Sequence, residues 1–316
     1  MRLCVGMLLL CCVGVWSSLA RAGEPVPFAD PYILTHEGKY YAYGTMAGSG
    51  IAVAVSEDLT HWRLGVGKAQ EGLALHKSSS YGEKWFWAPE VVALNGRFYM
   101  LYTADERQCL AVSDSPLGPF LPHGPQPYLP FHHRSIDGTL FIEDDGSVHL
   151  FFVRCFGGNS IWSVELTPDL LSCRPETLRY CTEATQAWEL KQGLVNEGPS
   201  VLKHDGTYYL LYSGNGYTSK EYGVGVAVAD SLAGPWRKHP GNPFLQSVGG
   251  LVGVGHGAPF RDLSGRLRYV FHAHNSTEPH RVHPRLMFLT DMAFDVRDGM
   301  PCVRFSPSFQ RCKLVK

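Results

Sequence analysis

The sequence has no surplus of charge: 28 basic against 29 acidic side chains give a formal net charge of −1. That balance offers no electrostatic footprint for nucleic acid or an anionic membrane surface. It has no apolar run long enough to cross a bilayer, since the stretch from residue 3 to residue 16 falls short of the roughly 20 residues a spanning helix needs. No segment keeps a helical apolar period for long, which excludes a helical bundle. No linker or low-complexity tract divides the chain. Cysteine is limited to nine residues, and none of the spacings has the tight pairing of a zinc site.

Residues 1–22 carry the marks of an export signal. Arg2 is the charged start, the apolar run follows, and Ala20-Arg21-Ala22 is a small-residue cleavage site. The chain is therefore expected to be exported, to a periplasm or the exterior. Cys4, Cys11 and Cys12 leave with the signal, and Cys109, Cys155, Cys173, Cys181, Cys302 and Cys312 remain. An even number in an exported chain permits disulfides. Cys173 with Cys181 and Cys302 with Cys312 are the pairs closest in sequence, and six free buried thiols fit equally well.

What the chain does have is glycine, 34 of them, with 21 prolines and frequent aromatic runs, the composition of many short strands separated by turns. Five segments open on a glycine: Gly38-Lys39-Tyr40-Tyr41, Gly96-Arg97-Phe98-Tyr99, Gly146-Ser147-Val148-His149, Gly206-Thr207-Tyr208-Tyr209 and Gly265-Arg266-Leu267-Arg268. Their glycines are 58, 50, 60 and 59 residues apart, in the range of a propeller blade. The turn Ser115-Pro116-Leu117-Gly118-Pro119-Phe120 returns as Ser231-Leu232-Ala233-Gly234-Pro235-Trp236, a second sign of duplication. The expected fold is all-β, a five-bladed β-propeller forming one catalytic domain over residues 23–316.

Ahead of each glycine stands a polar group: Asp30, Glu90, Asp137, Glu197 and His256, at offsets of 8, 6, 9, 9 and 9 residues. First strands of propeller blades line a central channel, so equivalent positions converge on the axis. Taken singly, Asp30-Pro31 and Asp137-Gly138 read as turns and Glu197 as a solvated glutamate. Gathered, three carboxylates suit glycoside hydrolysis, in which one acid protonates the leaving oxygen and one base acts opposite it. A third anion raises the pKa of the acid.

The ordered set Ala29-Asp30-Pro31, Trp87-Ala88-Pro89-Glu90, Ile136-Asp137, Glu197-Gly198-Pro199 and Gly255-His256-Gly257 resembles the signature of glycoside hydrolase family 43, over roughly residues 26 to 290. The resemblance implies Asp30 as general base, Glu197 as general acid, Asp137 as the residue that tunes and orients the acid, and inversion at the anomeric carbon. It implies that His256 helps hold a calcium ion, mostly through water, and that Arg285 faces the substrate. Of Trp85, Phe86 and Trp87, only Trp87 is assigned to the pocket, beside Glu90, which is counted with the substrate-binding residues. Two departures stand out: Glu90 where many relatives have aspartate, and Gly138 where many have proline. His272, His274, His280 and His283 look metal-like, but no cysteine or carboxylate is spaced to complete a closed site. The implied activity is exo-acting release of terminal arabinofuranosyl, xylosyl or galactofuranosyl residues by a monomer with no organic cofactor. The alternatives are a non-catalytic carbohydrate-binding propeller and an endo-acting arabinanase or xylanase type. A retaining sucrase-like propeller is disfavoured, because Ala29 and Tyr32 flank Asp30-Pro31 where an Asn-Asp-Pro-Asn run would stand.

Overall fold

In the computed structural model, which describes residues 22–275 and 281–316, consecutive strands build five antiparallel sheets. The first contains Ala29–His36, Lys39–Thr45, Gly50–Ser56 and His61–Leu64; the second contains Trp87–Leu94, Arg97–Ala104, Arg107–Ser113 and Leu121–Pro122. The third runs Arg134–Ile142, Val148–Cys155, Asn159–Glu165 and Arg179–Glu183. Asn196–His204, Thr207–Gly214, Gly223–Ala229 and Arg237–Lys238 make the fourth, and Gly255–Arg261, Leu267–Ala273, Leu286–Arg297 and Met300–Phe305 the fifth. These are the five blades of a propeller. The expected export signal falls outside the described residues except for Ala22, as does His280.

Each repeat glycine sits in the hairpin between the first and second strands, with φ of +73°, +75°, +85°, +77° and +82° for Gly38, Gly96, Gly146, Gly206 and Gly265. That left-handed backbone is what a tight hairpin demands and what glycine adopts without strain. The aromatic runs follow from period-two alternation. Tyr40 and Ala42 pack between blades one and five, while Tyr41 and Tyr43 pack between blades one and two. Three further buried clusters fill the gaps between blades two and three, three and four, and four and five, so every blade is glued to two neighbours.

The ring is closed by Lys313–Leu314, which pairs in parallel with His61–Leu64 of blade one. Residues 312 and 314 also bond the segment ahead of blade one, with Gly23 N–H donating to Leu314 O and Val26 N–H to Cys312 O.

The six described cysteines are free, which removes the two disulfides held open by sequence. Cys173 packs between blades two and three and Cys181 between blades three and four, on opposite sides of one sheet. Cys312 is buried between blades one and five, whereas Cys302 lies on the outer strand of blade five, opposite Asp295. Closeness in sequence did not bring the members of either pair into bonding contact.

Candidate active site

The five first strands share one irregularity. Strand pairing slips between Ala29 and Tyr32, Trp87 and Glu90, Ile136 and Thr139, Glu197 and Ser200, and Gly255 and Ala258. At each bulge one residue turns left-handed: Asp30, Ala88, Asp137, Gly198 and His256, with φ of +49°, +44°, +56°, +56° and +40°. Bulges of this kind re-aim a side chain, and a positive φ at a non-glycine residue marks local strain. These five are the structural equivalents, at offsets of 8, 8, 9, 8 and 9 before the repeat glycines. Glu197 stands one residue before its bulge and Glu90 two residues after its own, so the frame read from sequence was off at two of five positions.

The bulges are tied together by a ring of hydrogen bonds. Ala88 N–H donates to Thr45 Oγ1 (2.9 Å), Asp137 N–H to Thr103 Oγ1 (3.2 Å), His256 N–H to Ser213 Oγ (2.8 Å) and Asp30 N–H to His272 Nδ1 (3.1 Å). In each case the acceptor belongs to the second strand of the preceding blade. Blade three has Val153 at that position, which cannot accept, and Gly198 N–H donates instead to Asp137 Oδ2 (3.2 Å). One of the three carboxylates is thereby fixed against the strand that carries another.

Above the bulges a cavity of about 880 Å³ is lined by Asp30, Trp87, Asp137, Glu197, His256 and Arg285, with Met46 and Tyr217 on its walls. Arg285 donates through NH1 to Asp30 Oδ1 (2.8 Å) and through NH2 to Oδ2 (3.4 Å), and its guanidinium lies 4.5 Å from the Tyr217 ring centroid. Glu197 accepts from Tyr222 OH at Oε1 (2.8 Å) and from Asn159 Nδ2 at Oε2 (3.0 Å). His256 Nδ1 lies 3.4 Å from Asp30 Oδ1 and 4.0 Å from Asp137 Oδ2. Trp87 stacks on the half-exposed Trp85, with centroids 5.7 Å apart, while Phe86 is buried against Tyr102.

Electrostatics separate the carboxyls. Burial works to raise Asp30, but Arg285, then His256, His272 and the Thr45 hydroxyl outweigh it and hold Asp30 well below the usual carboxylate range. Burial pushes Asp137 up to about 7; the Glu197 and Asp30 charges add to it, and His256 opposes it. Glu197 is raised as well, by burial first and by the Asp30 charge, against His256, Tyr222 and Asn159. Burial disfavours charge on His256, but Asp30, Asp137 and Glu197 together raise it. One carboxylate is kept ionised and two are pushed toward their protonated forms, the division of labour that acid–base chemistry at neutral pH requires.

Glu90 is the residue the fold takes out of the larger cavity. It lines a second, axial cavity of about 30 Å³ beneath the bulges, together with Asp30, Asp137 and His256. Its Oε1 accepts Leu140 N–H from blade three (3.2 Å), a reach that uses the methylene aspartate lacks. Burial pushes its carboxyl up to about 7 against hydrogen bonds from Thr139 and Leu140. The other departure also has a steric reason: a Cβ on Gly138 would meet Gln108 Cδ at 2.6 Å, so the buried Gln108 occupies the space a proline would need. The axial cavity has room for little more than a water or a single ion, and its carboxyl and imidazole are groups that can face a hard cation directly or through a water. Among the described residues, no three His, Cys, Asp or Glu side chains form a direct metal cluster. His272 and His274 do not pair as metal ligands; His272 anchors Asp30, and His274 Nε2 contacts Tyr217 O (2.8 Å).

A family model described as Glycosyl hydrolases family 43 matches residues 25–301. The chain belongs to glycosyl hydrolase family 43. Among solved structures, it is 44% identical to an endo-1,4-β-xylanase from Bacteroides thetaiotaomicron, over 92% of this chain and 98% of that one, with a TM-score of 0.84. Among curated proteins, a β-D-galactofuranosidase from Aspergillus niger is 27% identical over 84% of this chain and 81% of its own length. A xylosidase/arabinosidase from Butyrivibrio fibrisolvens is 26% identical over 87% of this chain, which spans 54% of that protein. The chain covers about half the length of several further curated relatives. As a family 43 member it is a glycosidase that hydrolyses O-glycosyl bonds, so the non-catalytic reading falls away.

Asn159 and Tyr222, which touch Glu197, and His272, which touches Asp30, were not read from sequence as catalytic or substrate-binding residues. Asn159 and Tyr222 lie outside the repeat frame and carried no signal. His272 did carry one: Thr45, Thr103, Val153, Ser213 and His272 each stand seven residues after a repeat glycine.

Proposed function

We propose that the chain is an inverting, exo-acting glycosidase with Asp30 as general base, Glu197 as general acid and Asp137 as the group that orients the acid. The observation that carries the reading is the presence in one cavity of an ionised, arginine-clamped Asp30 and a Glu197 pushed toward its protonated form. Glu197 gives its proton to the glycosidic oxygen as the bond to the anomeric carbon breaks. Asp30 takes a proton from water as the water oxygen bonds that carbon from the opposite face. The cycle leaves Glu197 ionised and Asp30 protonated, and exchange with solvent restores both. Inversion by this pair requires the two carboxyls to stand roughly 6.5–9.5 Å apart, so that a water fits between base and sugar; Asp30 and Glu197 are held by separate partners.

Terminal xylosyl, arabinofuranosyl or galactofuranosyl residues are the proposed substrates, in line with the names of the relatives, and Trp87 and Arg285 are the proposed contacts to the sugar. A second reading, endo action on a xylan-type chain, is favoured by the likeness to the endo-1,4-β-xylanase structure. The test is a nitrophenyl glycoside panel with polymeric xylan and arabinan, followed by NMR of the first-formed anomer. Monosaccharide from the earliest times, with configuration opposite to the substrate's, is expected. Early oligosaccharides would turn the assignment to endo action, and retained configuration would overturn the roles of Asp30 and Glu197.

Export is part of the proposal, supported by the pattern of residues 1–22, as is action as a monomer. So is calcium in the axial cavity, where Glu90 and His256 would hold it and it would supply positive charge beneath the carboxylates. Chelator treatment is expected to lower activity, and added calcium to restore it. Indifference to chelation, with no calcium found by elemental analysis, would remove the ion from the scheme.

A further inference from the structure

The best-anchored groups that the mechanism above leaves without a task are those that grip Glu197. The Tyr222 ring is fully buried and lies nearly parallel to the buried His272 ring, with centroids 5.7 Å apart and planes 13° from each other. From that seat its hydroxyl meets one carboxyl oxygen of Glu197, while Asn159 meets the other. The last torsion of a glutamate is broad and soft. Two donors on opposite oxygens, one on a blade-three strand and one in the loop that follows the second strand of blade four, remove that freedom. The amide of Asn159 only donates through Nδ2. The phenol stays protonated, because burial and the Glu197 charge beside it raise it well above its ordinary value.

Both donors bind the ionised carboxyl more strongly than the protonated one. During the acid step the O–H bond of Glu197 breaks and its electron pair stays on the carboxyl, while the proton bonds the departing glycosidic oxygen. The contacts therefore strengthen as the transition state forms, and they favour the step more than they favour substrate binding. We infer that Asn159 and Tyr222 are positioning residues for proton donation, a clamp that aims Glu197 and stabilises the carboxylate it becomes. The inference rests on the reading of Glu197 as general acid. Besides the clamp, Glu197 is faced by Asp30, Asp137 and His256, and Tyr222 also feels Asp30 and Arg285.

The experiment compares wild type, Tyr222→Phe and Asn159→Ala on two aryl glycosides of one sugar. One has a dinitrophenyl leaving group that departs with little protonation, and the other an unsubstituted phenyl group that needs the acid. Each variant is expected to lose about 10- to 100-fold in kcat on the phenyl glycoside and much less on the dinitrophenyl one. KM is expected to hold, and the basic limb of the pH–rate profile to move upward. Equal losses on both leaving groups with an unmoved basic limb would overturn the clamp. Thermal melting of both variants accompanies the kinetics, and if Tyr222→Phe does not fold, Asn159→Ala alone decides. An active wild type with insensitive variants defeats this inference only, whereas a wild type silent on every glycoside defeats the functional reading and the clamp with it.

Discussion

Asp30→Asn is expected to lower kcat by about 10²–10⁴-fold, the scale of a lost general base, with a smaller change in KM. Asparagine keeps the shape and cannot take the proton from water. It also leaves the Arg285 guanidinium and the His256 ring, both nearly buried, without their shared counter-charge, so the variant is expected to melt lower as well. Wild-type pH dependence follows from the two carboxyls. In the proposed roles Asp30 acts ionised, and because it is held below its ordinary range, the acid limb of kcat/KM is expected below the usual aspartate value of about 3.9. In the same proposal Glu197 acts protonated, and because it is raised, activity is expected to persist above the usual glutamate value of about 4.3 and to be lost as pH rises through its own pKa. In Asp30→Asn one of the anions that raise Glu197 is gone, so residual activity is expected to fail at lower pH. A basic limb that stays in place would show that Asp30 does not act on Glu197 through its charge.

Lys238→Ala is expected to be the most damaging single change to stability away from the cavity. Glu189 has no exposed surface, and Lys238 Nζ donates to its two oxygens at 2.6 and 2.7 Å as well as to Asn196 Oδ1 (2.9 Å) and Glu183 O. Tyr212 OH (2.7 Å), Asn196 Nδ2 (3.3 Å) and the N–H groups of Thr185 (2.7 Å) and Gln186 (2.8 Å) also donate to Glu189. Removing the lysine leaves a buried carboxylate without its charge partner, at a cost of about 3–5 kcal/mol. A fall in Tm on the order of 10 °C is expected. Replacing the pair together, as Glu189→Gln with Lys238→Met, is expected to recover much of the loss. A Tm for Lys238→Ala within a degree or two of wild type would show that water or rearrangement satisfies Glu189. Because Asn196 joins this network and precedes Glu197, the same variant is expected to disturb Glu197.

The period, the hairpin glycines and the alternating aromatics are local properties, and each could be read along the chain. A hairpin needs its left-handed residue in place whatever surrounds it, and a strand buried on both faces shows its apolar pattern residue by residue. The chemical identity of the cluster was legible for the same reason: Asp30, Asp137, Glu197 and His256 recur at nearly constant distance from the glycines. What failed was registration at the scale of one or two residues. Glu90 was grouped with the sugar contacts because a bulge cannot be located from spacing alone, and two residues along a bulged strand separate the open cavity from the axis beneath it. The disulfide pairs failed because closeness in sequence does not say which side of a sheet a cysteine occupies.

The sequence by itself determined an all-β repeat with five blades and the residue types carried to its centre, since both follow from local pattern: turn glycines, strand alternation and a nearly fixed spacing between them. Only the tertiary structure decided which carboxylate is clamped by Arg285, which is gripped by Tyr222 and Asn159, and where Glu90 and Gly138 find their reasons. Those contacts join residues up to 255 positions apart, as between Asp30 and Arg285. The burial that separates one carboxyl's pKa from another's exists only once the ring has closed.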